Sequence, residues 1–216
     1  MRGARAAAKP RSDDRRAGML EIARAAFLRE GYAAASMSEI AAKVGGSKAT
    51  LYSYFPSKKD LFAAVIREEV QRMFAPLFEM DETQGDVRTV LGRFARRFLD
   101  LLLTEDTIAF YRLIVAESAR FPEVGQAAYQ IGVQHGLDRL TGSFLAAMER
   151  GELRRADASV AVTQFLDLCS GELHRKRLFG VVGADDRDAV DRQAANAVTT
   201  FLAAYGADGL SRAARA

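Results

Sequence analysis

The sequence predicts an all-α protein, with a small three-helix head at the N-terminus and a larger helical bundle after it. Three observations carry this. Apolar residues recur at helical spacing in segment after segment, with no alternating strand pattern. Two short segments, each preceded by a serine, are separated by Gly45-Gly46. Charge is unevenly divided: residues 1–60 hold 12 Lys or Arg against 6 Asp or Glu, whereas the remainder holds 19 against 22, within a net charge of +3. A basic head on a mildly acidic body is the electrostatic footprint of a nucleic-acid module joined to a module with another task.

At 216 residues, 49% hydrophobic and 27% charged, the chain has a globular make-up and room for a small domain beside a larger one. Cys169 is its single cysteine, which excludes an internal disulfide and fits a reducing compartment. No apolar run nears the ~18 residues that cross a bilayer, and the polar, basic N-terminus lacks the core of a signal peptide. The expected setting is cytoplasmic, with no membrane partner.

Residues 1–14 are rich in Arg, Ala, Gly and Pro and are expected to be a disordered basic tail. Arg2, Arg5, Lys9 and Arg11 could follow a DNA backbone or enter a minor groove, or simply aid solubility. From Arg15 to Gly31, the residues Met19, Ile22, Ala23, Ala26 and Phe27 recur at helical spacing, and Gly31 ends this first helix. Ser36 and Glu39 have capping-box spacing at the start of a second helix, Met37–Val44, with Ile40, Ala41 and Val44 as its apolar side. Gly45 and Gly46 can take the left-handed backbone that closes a helix. Ser47 then caps a third helix, Lys48–Tyr54, before Pro56 and Ser57 end it and open a fourth.

Helix, glycine turn, helix is the pattern of a helix-turn-helix DNA reader, although it also suits an ordinary helical hairpin. Leu51 and Phe55 can anchor the third helix, leaving Lys48, Ala49, Thr50, Tyr52, Ser53 and Tyr54 at its N-terminal end and outer sides. A helix N-terminus with a lysine, hydroxyls and tyrosines suits phosphates, because its free amides favour anions.

The stretch KVGGSKATLYSYFPSKKDLF resembles the DNA-binding signature of the TetR family of bacterial transcriptional regulators, within a match over about Met19 to Ile66. Its shared elements are Phe27 to Gly31-Tyr32, the Ser-x-x-Glu-Ile-Ala start, Thr-Leu-Tyr-x-Tyr-Phe, and the Ser57-Lys58 exit. The resemblance implies a homodimer whose third helices enter major grooves of a near-palindromic operator, with half-site centres about 34–36 Å apart or a multiple of that. It implies phosphate contacts from Ser36, Thr50, Tyr52, Tyr54 and Lys58, with Ser38 in the same DNA-binding set. Lys48, Ala49 and Ser53 would face the bases, Lys48 being able to donate to guanine O6 or N7. The family often has a bulkier residue or glycine at Ala49 or Ser53, so sequence preference would rest on Lys48 and DNA shape.

These readings divide the chain into a helix-turn-helix domain at 15–60 and a helical ligand-binding and dimerisation domain at 61–206. Leu61, Phe62, Val65, Ile66 and Met73 form the buried side of the fourth helix, which in the family links the two. Pro76 is expected to end or bend it, and the acidic segment Glu79–Gly85 to connect onward. An amphipathic helix follows, marked by Val87, Val90, Leu91, Phe94, Phe98, Leu101 and Leu102. Next come a helix over Glu105–Arg120, closed by Phe121-Pro122, and one long helix over Glu123–Arg150. The long one has two apolar sides, Val124, Ala128, Ile131 and His135 against Val133, Leu137, Leu140, Phe144 and Met148, and so belongs near the centre of its domain. Helices over Ala158–Phe179 and Asp186–Tyr205 precede a frayed end.

Within the body, YRLIVAESARFPEV resembles the AefR-like subgroup of the family. That likeness implies that the last two helices pair with those of a second subunit. The interface expectation is Val160, Phe165, Leu168, Cys169, Ala194, Ala197, Val198, Phe201 and Leu202, part of which could equally be intrachain core. Phe110, Tyr111, Ile114, His135, Phe144 and Phe165 are the candidate lining of a pocket for a small hydrophobic or amphipathic effector, or else part of a solid core. His135 could hydrogen-bond an effector or be satisfied within the core. His174, beside Arg175, Lys176 and Arg177, is expected at the surface, and Cys169 reads as a packed apolar residue.

Nothing points to catalysis. There is no phosphate-binding Gly-x-x-x-x-Gly-Lys loop, no nucleophile elbow and no dinucleotide fingerprint, and two histidines with one cysteine give no metal-ligand spacing. Asp185, Asp186 and Asp188 cluster at an expected helix start, where acids favour the dipole. No cofactor or metal is expected. Two other function classes remain alongside the regulator: an effector-independent architectural DNA-binding protein, and a helical ligand-binding or protein-interaction module.

Overall fold

The computed structural model describes residues 12–45, 47–78, 85–183 and 186–207, without the side chains of residues 12, 73–76, 78, 133 and 135. The basic tail up to Arg11, most of the acidic connector, Gly46, Asp185, the chain end from residue 208, and the side chains of Met73, Pro76, Val133 and His135 lie outside the described residues.

Helix α1 (Ser12–Ala34) buries Met19, Leu20, Ala23, Ala26 and Phe27 along one side. Its regular part stops at Gly31, where φ 80° and ψ 166° break the helix before one last turn. Helix α2 (Met37–Lys43) starts at Ser36, whose Oγ accepts from the Ser38 N–H at 3.3 Å, a cap made without the partner bond expected from Glu39. Gly45, at φ 72°, closes α2, and Ser47 caps α3 (Lys48–Tyr54) by accepting from the Thr50 N–H at 3.1 Å. Ser57 and Asp60 cap α4 (Lys58–Phe78): Ser57 Oγ accepts from the Asp60 N–H at 3.1 Å and donates to its carboxylate at 2.6 Å. The backbone stays helical through Pro76, so the expected stop there comes two residues later.

Two apolar clusters organise the chain. The N-terminal one joins α1, α2 and α3 to the first half of α4, with Phe62 edge-on to Phe27 at 4.9 Å and to Tyr32 at 5.0 Å. It does not stop at residue 60, because Leu61, Phe62, Val65, Ile66 and Val70 belong to it, as do Phe110 and Val124 from later helices. Leu77, at the far end of α4, belongs to the second cluster, so one helix is embedded in both.

The second cluster is built by α5 (Val87–Leu102), α8 (His135–Glu149), α9 (Ala158–Leu178) and α10 (Arg187–Tyr205). Phe165 sits at its centre, with ring centroids 5.0 Å from Phe201, 5.8 Å from Phe144 and 6.0 Å from Phe94. Asp86, Asp157 and Asp186 cap α5, α9 and α10 by accepting from backbone amides. Helix α6 (Glu105–Ser118) bridges the two clusters.

The single helix expected over 123–150 is three pieces: α7 (Pro122–Ala128), a π-helical segment (Tyr129–Gln134) and α8. The two apolar sides seen in sequence go to different clusters. Val124, Ala127, Ala128 and Ile131 pack on the first, whereas Leu137, Leu140, Phe144, Ala147 and Met148 pack on the second. A wide turn lies between them.

His174 is a correction. It is buried, 9% exposed, with the Tyr111 ring edge-on at 5.2 Å. The cause is a break in α9 at Gly171 (φ 46°, ψ −142°), where the Leu168 carbonyl accepts instead from Gln193 Nε2 at 2.7 Å. Beyond the break, Arg177 is also buried, its guanidinium 3.0 Å from Glu105 and donating to the Leu103 carbonyl at 3.2 Å. Burial, with the Arg175 charge second, lowers the His174 pKa below the usual histidine range. The unfolded chain therefore takes up this proton first, and stability falls as pH drops below about 6.5. Replacing His174 by Leu should shrink the loss of Tm between about pH 7.5 and pH 5, and an unchanged loss in thermal melts would remove His174 from the acid response.

Among the described residues there is no β-structure beyond one bridge between Leu153 and Gly206, and no acidic, histidine or cysteine cluster suited to a metal. No helix among them is long and apolar enough to cross a membrane.

Candidate nucleic-acid interface

Helix α3 is seven residues long and too short to persist by itself, so its position depends on buried anchors. Leu51 and Phe55 supply them, and Arg16 of α1 lies over the Phe55 ring at 5.6 Å. Lys48, Ala49, Tyr52 and Ser53 are exposed, whereas Thr50 and Tyr54 are half-buried. Tyr54 packs on the N-terminal cluster. One side of a short, well-anchored helix therefore carries a lysine, a methyl, a hydroxyl and a phenol into solvent.

The hydroxyls are partly committed. Ser47 and Thr50 pair at 2.9 Å, and Ser53 donates to the Thr50 carbonyl at 2.7 Å. Ser53 has its proton committed, whereas one of the Ser47 and Thr50 hydroxyls donates to the other and the accepting one keeps its own proton to give; all three can still accept. Lys48 Nζ stands 6.0 Å from the Tyr52 ring centroid, at the edge of cation–π range, and carries the side chain's donors at the helix N-terminus. Ser38 is exposed and Ser36 half-buried in its capping role.

Lys58 has a different position from the one its place in the motif implied. Its ammonium donates to the carbonyls of Ala33 at 2.9 Å and Ala35 at 3.2 Å, and lies 4.9 Å from the Tyr32 ring centroid. It closes the end of α1 by taking up carbonyls that no further helical turn satisfies. Lys59, its neighbour, is exposed and is not among the residues that the family resemblance implied. The signal was the second lysine of the Ser57-Lys58-Lys59 exit. Replacing Lys58 by Met should lower head stability by about 1–2 kcal/mol in thermal melts, because two carbonyls lose a charged donor. A loss of DNA salt dependence with unchanged stability would restore the phosphate role.

Five of the six residues expected to line a pocket do not come together, and the side chain of the sixth, His135, lies outside the described residues. Phe110 is in the N-terminal cluster, its ring 6.2 Å from Phe62, and Ile114 packs on the same cluster. Tyr111, one residue on, faces away and is 42% exposed beside His174. Phe144 and Phe165 are in the C-terminal cluster. Helical periodicity marks such residues as buried but leaves open which of two cores each enters.

Of the nine interface residues, Phe165, Cys169, Ala194, Ala197, Val198 and Phe201 are buried in the chain's own core and present no surface to a second subunit. Burial pushes the Cys169 thiol up to about 12, so it is not a reactive thiolate. Val160, 47% exposed, remains outside, with Leu168 and Leu202 half-buried. Leu168 borders a groove of about 430 Å³ between α9 and α10, lined also by Gln164, Asp167, Thr200, Ala204 and Tyr205. Tyr205 Oη donates to Gln164 Oε1 across it at 2.7 Å.

The match to known proteins covers both parts of the chain. A family model described as “Bacterial regulatory proteins, tetR family” matches residues 19–65, and one described as “AefR-like transcriptional repressor, C-terminal domain” matches residues 89–207. The solved structure of the Flavonoid-responsive Regulator FrrA has a TM-score of 0.80 at 32% identity, covering 90% of this chain and 98% of that one. A TetR-family transcriptional regulator from Mesorhizobium loti has a TM-score of 0.74 at 28% identity, covering 92% of this chain and 100% of that one. The transcriptional activator FasR of Mycolicibacterium smegmatis is 36% identical over 102 residues, so the match spans 47% of this chain and 46% of that relative. The exposed α3 thus sits in a head of known kind, on a body of a known subgroup. The chain belongs to the TetR family of DNA-binding transcription regulators, with an AefR-like C-terminal domain, and is not an enzyme.

Proposed function

We propose that this regulator is a cytoplasmic repressor that binds a near-palindromic operator as a homodimer and is released by a small hydrophobic or amphipathic effector. The observation that carries the DNA step is the exposed side of α3, with Lys48 at its tip and the buried Leu51 behind it. Lys48 donates to a guanine edge, Ala49 and Tyr52 pack beside it, and Lys59 with the free amides of α3 holds phosphates. Repression is supported by the description of the matching C-terminal family model. An effector with aromatic character is supported by the likeness to FrrA, a flavonoid-responsive protein by its own description. Release follows if the effector binds better to a conformation whose two heads no longer match the groove spacing.

Selection of genomic fragments bound by the full chain, followed by footprinting, should return one discrete motif with dyad symmetry. Transcripts of the adjoining genes should rise when the protein is removed. A fall would make it an activator, as FasR is by name. Lys48→Ala should cost about 1–3 kcal/mol of binding and relax preference at one position per half-site. Lys59→Ala should weaken all sequences alike and flatten the salt slope by about one. Gel shifts in which both variants bind like the parent would rule out this docking.

A further inference from the structure

The buried anchor of α3 fixes which of its side chains point straight out. Counting about 100° per residue, Ala49 and Ser53 are each two positions from Leu51 and so lie about 160° from it around the helix. Leu51 is buried in the head's core, whereas Ala49 and Ser53 are both exposed. These two therefore crown the side that faces away from the core. Lys48 is three positions from Leu51 and only about 60° from it, and its Nζ stands 6.0 Å from the Tyr52 ring centroid. Lys48 and Tyr52 thus occupy one flank of the exposed side, and the half-buried Thr50 and Tyr54 the other. The crown itself is made of two small residues, one helical turn or about 6 Å apart, which lets the backbone of α3 come close to whatever it meets.

The two groups at the crown differ in chemistry. Ala49 shows a bare methyl. Ser53 gives its proton to the Thr50 carbonyl at 2.7 Å, so its oxygen turns only lone pairs outward. In a major groove a methyl has one apolar counterpart, the C5 methyl of thymine. An oxygen that can only accept has two, the N6 amino group of adenine and the N4 amino group of cytosine, and it is refused by guanine O6 and N7. We propose that Ala49 and Ser53 are specificity-determining residues: Ala49 packs on the C5 methyl of a thymine, and Ser53 Oγ accepts from an adenine or cytosine amino group one helical turn further along. This rests on the reading that α3 enters the major groove. Lys48 reaches its guanine edge from the flank, while the crown selects a methyl and an amino group beside it.

Base analogues in the selected motif test the pair. One thymine at a time, in both half-sites, is replaced by deoxyuridine, which lacks only the C5 methyl. Titration of the full-length protein by fluorescence anisotropy should find one thymine per half-site whose replacement weakens binding about fourfold per methyl group, or about 15-fold with both half-sites changed. In Ala49→Gly the same two duplexes should differ by less than about twofold. Because one variant reads both duplexes, any loss of helix stability cancels from that ratio. Lys48→Ala should weaken both duplexes and keep the ratio of the parent. For Ser53, adenine is replaced by purine, or cytosine by 2-pyrimidinone, each of which lacks the amino group. Ser53→Ala should lose the part of the penalty that the parent shows at one such position. A motif in which no thymine is sensitive, or a methyl effect that persists in Ala49→Gly, would overturn the assignment of Ala49 while leaving α3 in the groove. Equal amino penalties in Ser53→Ala and the parent would do the same for Ser53. If no discrete motif is selected, α3 does not read sequence, and the docking and the crown fall together.

Discussion

Replacing Phe165 by Ala should lower the unfolding free energy by about 3–5 kcal/mol, the largest single effect expected in this chain. Its ring meets three others from α5, α8 and α10, so truncation leaves a cavity whose walls are held by separate helices and cannot all move inward. The prediction also decides between two roles for this residue. If Phe165 is core, the loss appears in each protomer and the shift in Tm is the same at every protein concentration. If it were an interface residue, the loss would appear as weaker dimerisation and the shift would grow on dilution. Chemical denaturation at several concentrations gives the answer. Val160→Asp is the contrasting variant: it is exposed on the outer side of α9, and should leave unfolding of the protomer within about 0.5 kcal/mol.

Gly31→Ala should cost about 2–4 kcal/mol. The pair φ 80°, ψ 166° lies in a region open essentially to glycine alone, which sets a strain of about 1–3 kcal/mol for any other residue. Crowding adds to this, because the new methyl would press on Glu117 Oε1. Glu117 can swing away, but only by releasing the Ala33 amide. The variant should therefore melt earlier and bind DNA less tightly, since α2 no longer leaves α1 at the same angle. Combining it with Glu117→Ala should recover the crowding share and leave the backbone share. A Gly31→Ala protein with unchanged melting would mean that the corner does not have this backbone geometry.

Most of the helical layout was legible because its punctuation is chemical and local. Ser47, Asp86, Asp157 and Asp186 accept from amides two or three residues on, which is what a serine or aspartate before a periodic segment can do without tertiary help. The identity of α3 as the presented helix was legible too, since Leu51 and Phe55 leave no choice of buried side. What could not be read was which core each apolar residue enters. Phe110 and Phe144 look alike in a periodic pattern, yet they belong to different clusters. Lys58 and Lys59 are adjacent and identical, and only the folded position of the Ala33 and Ala35 carbonyls separates a helix clasp from an exposed cation. The three cations that follow His174 in sequence point to water, whereas beyond the break at Gly171 the His174 side chain is buried.

The π-helical segment works as a phase shifter. In an uninterrupted α-helix every residue turns by about 100°, so a stripe that faces one core keeps facing it along the whole length. An i→i+5 turn accommodates one residue more than an α turn, and resets that phase. Placed at Tyr129–Gln134, the reset falls between Val124, which serves the first cluster, and Leu140, which serves the second. One continuous rod can thus be spliced into two hydrophobic interiors that lie at different azimuths around it. A single-residue deletion within 129–134 would let an ordinary α turn replace the wide one, with the downstream half still in step and Phe144 still against Phe165, whereas a one-residue insertion beyond the segment, ahead of Leu140, would turn Phe144 away by about 100°. The wide turn, one residue richer than an α turn, is what fits this sequence to both interiors.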